Sequence, residues 1–345
     1  MELKIAGGVG EHGRNCFYVD AGDNTFLVDC GKMGGSDDPF PRLSHDEIRR
    51  VQYVFLTHSH ADHTGALPWL RENGFGGAVI ASAATLEQLT FPLNNTVSLE
   101  EICTDNHGEI GGVTFEYGRA GHCAGSVWYQ FHADGKSILF SGDYTEKSAV
   151  YNCDRICGRN ADIAVIDCAY GNDERDFDKC SGDLISAVTQ LKKSYNTLLF
   201  PVPKYGRGLD LQKLLSENLP NLVCRGDEHF TEQVINSQND DYWYKSGTLT
   251  ALDRDEKQCD ILFISDPQLR SEKSREIAER IISGGGFGIM TGTAENGSFS
   301  EQLIQSGKMR MLRYPVHQNF KEYKELFEKN SFRKTIPYHT AEFSV

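Results

Sequence analysis

The chain has 345 residues, room for two domains or for one domain interrupted by another. Hydrophobic residues make up 39% of it, and no apolar run is long enough to cross a bilayer, so no membrane partner is expected. A net charge of −14 excludes a broadly basic nucleic-acid surface, while charges segregated by face leave room for a local basic groove.

The opening, MELKIAGGVGEHGRN, lacks a basic start followed by an apolar core, and no secretory signal is expected. NCFYVDAG, NTFLVDCG and YVFLTH then read as short strands between glycine and asparagine turns. HTGALPWLREN reads as a helix, GAVIAS as a strand and SAATLEQLTF as a second helix. VTFEYG, SVWYQFHADG and SILFSGD follow as strands, and the alternating apolar residues predict stacked sheets. From ADIAVIDCAYG the texture changes. DLISAVTQLKKSY has helical spacing, NTLLFPVP reads as a buried strand and GLDLQKLLSENL as a helix. CDILFISDP, LRSEKSREIAERIISGGG and GFGIMTGT continue the alternation, which predicts a parallel α/β unit inserted from about Asn172 to about Gly292. MRMLRYPV, the helix FKEYKELFEKN and RKTIPYH return to the first domain. The expected division is therefore 1–171 and 293–345 for one domain and 172–292 for the insertion. Ten cysteines are scattered with no zinc-finger spacing, and in a chain with no export signal they are expected as reduced thiols in the cytoplasm.

The chemistry concentrates in FLTHSHADHTG, where an apolar strand hands three histidines and an aspartate to a loop. Residues at i and i+2 of an extended segment point the same way, which pairs His58 with His60 for one metal ion. Asp62 and His63 fall at the turn, placed for a second ion. Imidazole with carboxylate is the ligand set of catalytic zinc, whereas structural zinc prefers thiolates. Further ligands must come from other strand ends. His122 in AGHCAGS lies between small residues that allow close approach. Asp143 in LFSGDY is placed to bridge two cations, and His339 in TIPYHTAEF also ends an apolar strand. Asp29 in FLVDCG reads as a group that orients a ligand. Nothing nearby supports His107, His132 or His229, which are read as ordinary polar residues.

FLVDCG, HSHADH, GHCAGS and SGDY occur in the order and approximate spacing of the signature motifs of the metallo-β-lactamase superfamily. GGVGEHGRN is similar to the start of ribonuclease J, and the second half resembles the β-CASP subfamily of nucleic-acid-processing hydrolases. VIDCAYG resembles its acidic motif, with Asp167 in the carboxylate position, and FPVPKYGRGLDLQKLL its strand, turn and helix. YPVHQNFKEYKEL resembles its histidine motif, which places His317, and IPYHTAEF its last motif, which makes His339 a ligand. The chain departs from that pattern at Thr340, where glycine is usual, and at Val316, Gln318 and Asn319 around His317. It also resembles a short form, with a short cap and no C-terminal domain after His339.

The resemblance implies an α/β protein, a four-layer αβ/βα metallo-β-lactamase fold with an inserted β-CASP α/β cap. It implies two zinc ions per chain and phosphodiester hydrolysis by zinc-activated water. His58, His60 and His122 would hold one zinc, Asp62, His63 and His339 the other, with Asp143 bridging. Asp62, Asp167 and His317 form the expected catalytic set, with His317 as proton donor and Asp167 orienting it. Lys204 and Arg207, with Gly206 and Gly208, form a basic turn before a helix, where backbone amides can receive phosphate. The expected substrate is single-stranded RNA, with DNA as the other polymer. The alternative is a small-molecule metallohydrolase acting on a phosphodiester, lactone or thioester, which the acidic charge favours. A third class is a non-catalytic metal-binding or interaction protein.

Overall fold

The computed structural model describes residues 1–247, 249, 252 and 259–340. Residues 341–345, which include the end of the motif IPYHTAEF, and most of 248–258 within the insertion lie outside the described residues. The chain forms two compact units, one of Met1–Glu146, Cys153–Glu174 and His317–Val345, the other of Lys147–Asn152 and Arg175–Val316.

The first unit holds a six-stranded sheet, β1 (Glu2–Gly7), β2 (Cys16–Asp20), β3 (Thr25–Val28), β4 (Tyr53–Phe55), β5 (Ala78–Ala81) and β6 (Thr96–Ser98), in that order. The first three strands form an antiparallel meander, and β3 to β6 then pair in parallel. A seven-stranded sheet contains β7 (Cys103–Thr104), β8 (His107–Ile110), β9 (Val113–Arg119), β10 (Val127–Ala133), β11 (Lys136–Phe140) and β12 (Asn160–Asp167). The strand Ser331–Tyr338 closes its other edge beside β12. That edge is parallel, from β11 through β12 to Ser331–Tyr338.

The two sheets stack through aromatic side chains. Phe26 lies 4.7 Å from Phe131, Phe55 5.1 Å from Phe115, and Phe17 5.4–5.5 Å from Tyr338 and Phe140. Alternation along each strand sends the neighbours outward. Cys16, Tyr18, Leu27 and Val54 pack beneath Ile48, Leu67 and Leu70. On the far side Leu139, Ala164 and Ile166 pack beneath Tyr323 and Leu326 of the helix Phe320–Glu328. Helix, sheet, sheet and helix make the expected four-layer αβ/βα sandwich. Burial on both faces explains why strands such as TFLV read as continuous apolar runs.

HTGALPWLREN does not form the single helix that its spacing predicts. Helices Ala61–Thr64 and Leu67–Glu72 are separate, because Pro68 in the first turn of the second has no N–H and suits a helix start.

The second unit carries a parallel five-stranded sheet of β13 (Leu198–Pro201), β14 (Cys224–Gly226), β15 (Ile261–Ile264), β16 (Phe287–Met290) and β17 (Met309–Met311), ordered β14-β15-β13-β16-β17. This unit continues past Gly292 to Val316, because β17 pairs in parallel with β16. The strand Ser331–Tyr338 is hereafter β18. Among the described residues, no helix is long and apolar enough to cross a membrane.

Candidate metal centre

Parallel neighbouring strands present their C-terminal ends side by side, and the first unit uses both sheets this way. Asp29 follows β3 and Thr57–His63 follow β4; Asp143 follows β11, Asp167 ends β12 and His339 follows β18. The turn between β9 and β10 adds His122. Three backbone segments interlock beneath them. Asn15 N–H donates to the Asp62 carbonyl, Cys30 N–H to the His63 carbonyl and Gly31 N–H to the Asn15 carbonyl, at 2.7–2.9 Å. The packing is so close that a β-carbon at Gly31 would collide with the Asp62 carbonyl, which accounts for glycine after the segment FLVDC.

All seven side chains selected from the sequence as ligands come together. His58, His60, His122 and Asp143 can each offer one ligand atom with all of these within 4.8 Å of one another, and so can Asp62, His63 and His339. Asp143 lies between the two groups. Its Oδ2 is 3.6 Å from His58 Nε2 and from His122 Nε2, and its Oδ1 is 3.2 Å from His63 Nε2 and from His339 Nδ1. His339 Nε2 is 3.1 Å from Asp62 Oδ2. His107, His132 and His229 are not members of these groups.

The imidazoles are fixed from behind. His63 Nδ1 donates to Asp29 Oδ2 at 2.7 Å, which leaves Nε2 facing Asp62 and Asp143. Asp29 also accepts from Thr57 N–H and Thr57 Oγ1, both at 2.8 Å. Two groups not singled out from the sequence take part. Tyr338 Oη donates to Asp143 Oδ1 at 3.1 Å, and Asn15 Nδ2 lies 2.9 Å from His63 Nε2. A fully buried Asn and a Tyr beside a candidate ligand histidine look like core residues in sequence, and only their long-range contacts mark them.

The electrostatics suit a divalent cation. Burial pushes the Asp62 carboxyl up, but His63 and His339 outweigh it and hold it well below the usual carboxylate range. Asp143 is likewise held down, against burial, by His339 and His63. Burial pushes His63 and His339 down, yet the surrounding carboxylates win and hold both imidazoles well above their ordinary value. The centre therefore draws in positive charge, and a bound cation would replace those protons. His58 is fully buried, its affinity for protons lowered by burial and by His63, and its Nε2 has no hydrogen-bond partner among the described residues. A buried imidazole nitrogen without a partner is costly unless a metal satisfies it.

His317 Nδ1 lies 2.8 Å from Asp167 Oδ2 and 3.9 Å from Asp143 Oδ2. Asp167 is fully buried and also accepts from Tyr144 N–H at 3.0 Å. Burial raises its carboxyl, but His317 dominates and holds it well below the usual range. His317 also belongs, with Asp143, Asp167 and His339, to a third group of potential ligands.

Lys204 and Arg207 lie in the second unit, outside these groups. Lys204 is exposed. Arg207 opens the helix Arg207–Asn218 and is half-buried, its guanidinium lying where a β-carbon on Gly292 would be. Gly206, at φ 100, supplies the left-handed turn ahead of that helix, while Gly208 leaves room for Phe230 and Val202. The turn is thus closely packed on one side and open at Lys204.

The metallo-beta-lactamase superfamily matches residues 9–188, just over half of the chain. Transcription termination factor FttA of Methanothermobacter thermautotrophicus is 26% identical over 62% of this chain and 39% of its own length. Cleavage and polyadenylation specificity factor 73 of Drosophila melanogaster is 24% identical over 63% of this chain and 36% of its own. Ribonuclease TTHA0252 of Thermus thermophilus is 26% identical over 44% of this chain and 40% of its own. The chain thus spans about two fifths of the length of these curated relatives, and they bear out the β-CASP resemblance. A protein of unknown function from Enterococcus faecalis V583 shares the fold, with a TM-score of 0.61 at 12% identity, covering 98% of this chain and 94% of that one. The chain belongs to the metallo-β-lactamase superfamily.

Proposed function

We propose that this protein is a zinc-dependent phosphodiester hydrolase that cuts RNA. The observation that carries the reading is the convergence of His58, His122, His63 and His339 on the two oxygens of Asp143, with His60 grouped beside the first pair and Asp62 beside the second. His58, His60 and His122 would hold one zinc and Asp62, His63 and His339 a second, with Asp143 shared between them. Zinc bound at such nitrogen and oxygen ligands supplies Lewis acidity and activates water near neutral pH.

The chain's own residues do the rest. Asp29 holds His63 in the tautomer whose Nε2 faces the cation. Tyr338 donates to Asp143 and fixes the plane of the shared carboxylate. Asp167 accepts from His317 Nδ1, so the proton on Nε2 is the one available to the departing oxygen. After that transfer His317 keeps its bond to Asp167 and returns as the neutral imidazole. Asp62, Asp167 and His317 are in this reading the catalytic set.

RNA as substrate rests on similarity to a ribonuclease and to factors named for transcription termination and for cleavage and polyadenylation. The second unit is then the β-CASP-type cap, with Lys204 as a contact for the sugar-phosphate backbone and Arg207 bracing the turn against Gly292. The test is incubation of zinc-loaded protein with end-labelled single-stranded RNA and DNA. Metal-dependent shortening of RNA is expected. Turnover of a small phosphodiester without cleavage of either polymer would overturn the RNA reading and favour a small-molecule hydrolase.

A further inference from the structure

The loop GGVGEHGRN brings a further imidazole to the metal centre, one that the ligand set does not use. The His12 ring lies 5.1 Å from the His339 ring, edge-on at 66°. It also lies within electrostatic reach of His317, Asp62 and Asp167. The loop is held firmly. Arg14 is buried and bonds Glu11 through Nε and Nη2 at 2.7 Å and Asp38 through Nη1 at 2.8 Å. Glu11 in turn accepts from Gly8 N–H at 3.1 Å, and His339 N–H donates to the Gly8 carbonyl at 2.7 Å. The residues on both sides of His12 are therefore pinned, and the segment is tied directly to the backbone of a candidate ligand.

Other polar groups around the centre face inward. The Asn15 amide serves Asp62 and His63, Tyr338 Oη serves Asp143, and Gln318 Nε2 donates to the Asp167 carbonyl. His58 and His63 are fully buried, and His122 and His339 nearly so. His12 is exposed, and its ring nitrogens make no hydrogen bond with the described residues. A phosphodiester approaching Asp62, Asp143 and Asp167 meets carboxylates, which repel it, so a donor at the rim has a task that buried groups cannot perform.

We propose that His12 contacts the substrate, donating a ring N–H to a non-bridging oxygen of the phosphate that is cut. The proposal rests on the reading of the site as a metal-dependent phosphodiesterase, and it identifies the phosphate, not the polymer, as what His12 recognises. It needs no change in protonation, since neutral imidazole carries one N–H.

The experiment compares unmodified protein, His12→Ala and His12→Gln, each zinc-loaded. Zinc content is measured by elemental analysis, affinity for inorganic phosphate by calorimetry, and kcat/KM on bis(4-nitrophenyl) phosphate and on RNA. His12→Ala should keep its zinc and lose about ten- to a hundredfold in phosphate affinity, the range for a hydrogen bond to a charged group. The glutamine amide can donate, so His12→Gln should restore most of the loss. Unchanged phosphate affinity in His12→Ala, loss of zinc from it, or no phosphate binding by the unmodified protein would each overturn the proposal. If the unmodified protein leaves RNA intact while the phosphate results hold, the ribonuclease reading falls and the role of His12 stands.

Discussion

Asp29 sits one step behind the ligand atoms, in a left-handed backbone conformation at φ 59 that a non-glycine residue adopts only when its surroundings enforce it. Its carboxylate ties Thr57 and His63 together, so removing its charge should loosen the metal without erasing the site. Asp29→Asn is expected to weaken zinc binding about 10–100-fold, as outer partners of ligand histidines do, measured by competition with a chromophoric chelator. His317 makes the opposite prediction. In its proposed role as a proton donor and not a ligand, it should give a His317→Ala protein that retains zinc while turnover falls about 10²–10⁴-fold. Loss of zinc from that variant would assign His317 to the third ligand group instead. The candidate ligands are legible in the sequence because each follows an apolar strand and belongs to the few residue types that bind zinc. Asn15 and Tyr338 are not legible, because they act through partners 47 and 195 residues away.

At the level of elements, apolar period and turn residues are enough to foresee most strands of the first unit, yet β1 in the opening segment goes unread, and β6, β7 and β8 escape notice as short polar segments. The same holds for β14 and the helix Glu228–Ser237, whose sequence carries too few apolar residues to stand out. The helix Arg207–Asn218 shows what a buried charge does within an element. Asp210 is almost wholly buried there and accepts from Ala149 N–H at 2.7 Å and Ser148 Oγ at 3.0 Å. Burial outweighs those bonds and pushes its carboxyl up to about 6. The unfolded chain, with an ordinary aspartate, releases this proton near pH 4, while the folded chain keeps it until near pH 6. Between those values the folded state binds more protons, so stability falls as pH rises, by about 3 kcal/mol in all. Asp210→Asn should remove that part of the slope. The check is the urea midpoint of both proteins at intervals from pH 4 to pH 7; parallel curves would show that Asp210 titrates normally.

For the whole molecule, the sequence reading places the return to the first domain at Gly292, whereas the second unit ends at Val316. The reason is physical: MRM is too short to show a strand period of its own, and it belongs to the second unit only through its parallel pairing with β16 across the helix Phe299–Gln305, a pairing that local pattern does not carry. Arg207 teaches the same lesson, since its neighbour Gly292 is distant in sequence. Charge sets the remaining question. A molecule of net charge −14 repels RNA at long range, so any affinity must come from a few local cations acting against that field. Lys204 is exposed and open to such a contact, whereas Arg207 is half-buried against its own unit. Lys204→Ala should therefore weaken binding of single-stranded RNA and flatten its salt dependence, by a slope of about 0.7 for the one phosphate that the lysine no longer neutralises. Arg207→Ala should lower the unfolding temperature, because it empties space over Gly292. Binding is measured by fluorescence anisotropy with zinc present and the metal content held equal. Hydrolysis of bis(4-nitrophenyl) phosphate should be unchanged in Lys204→Ala, because that substrate has no flanking phosphate for the lysine to hold. Equal loss on RNA and on the small substrate would place Lys204 in the support of the fold, and an unaltered salt slope would remove it from the RNA path.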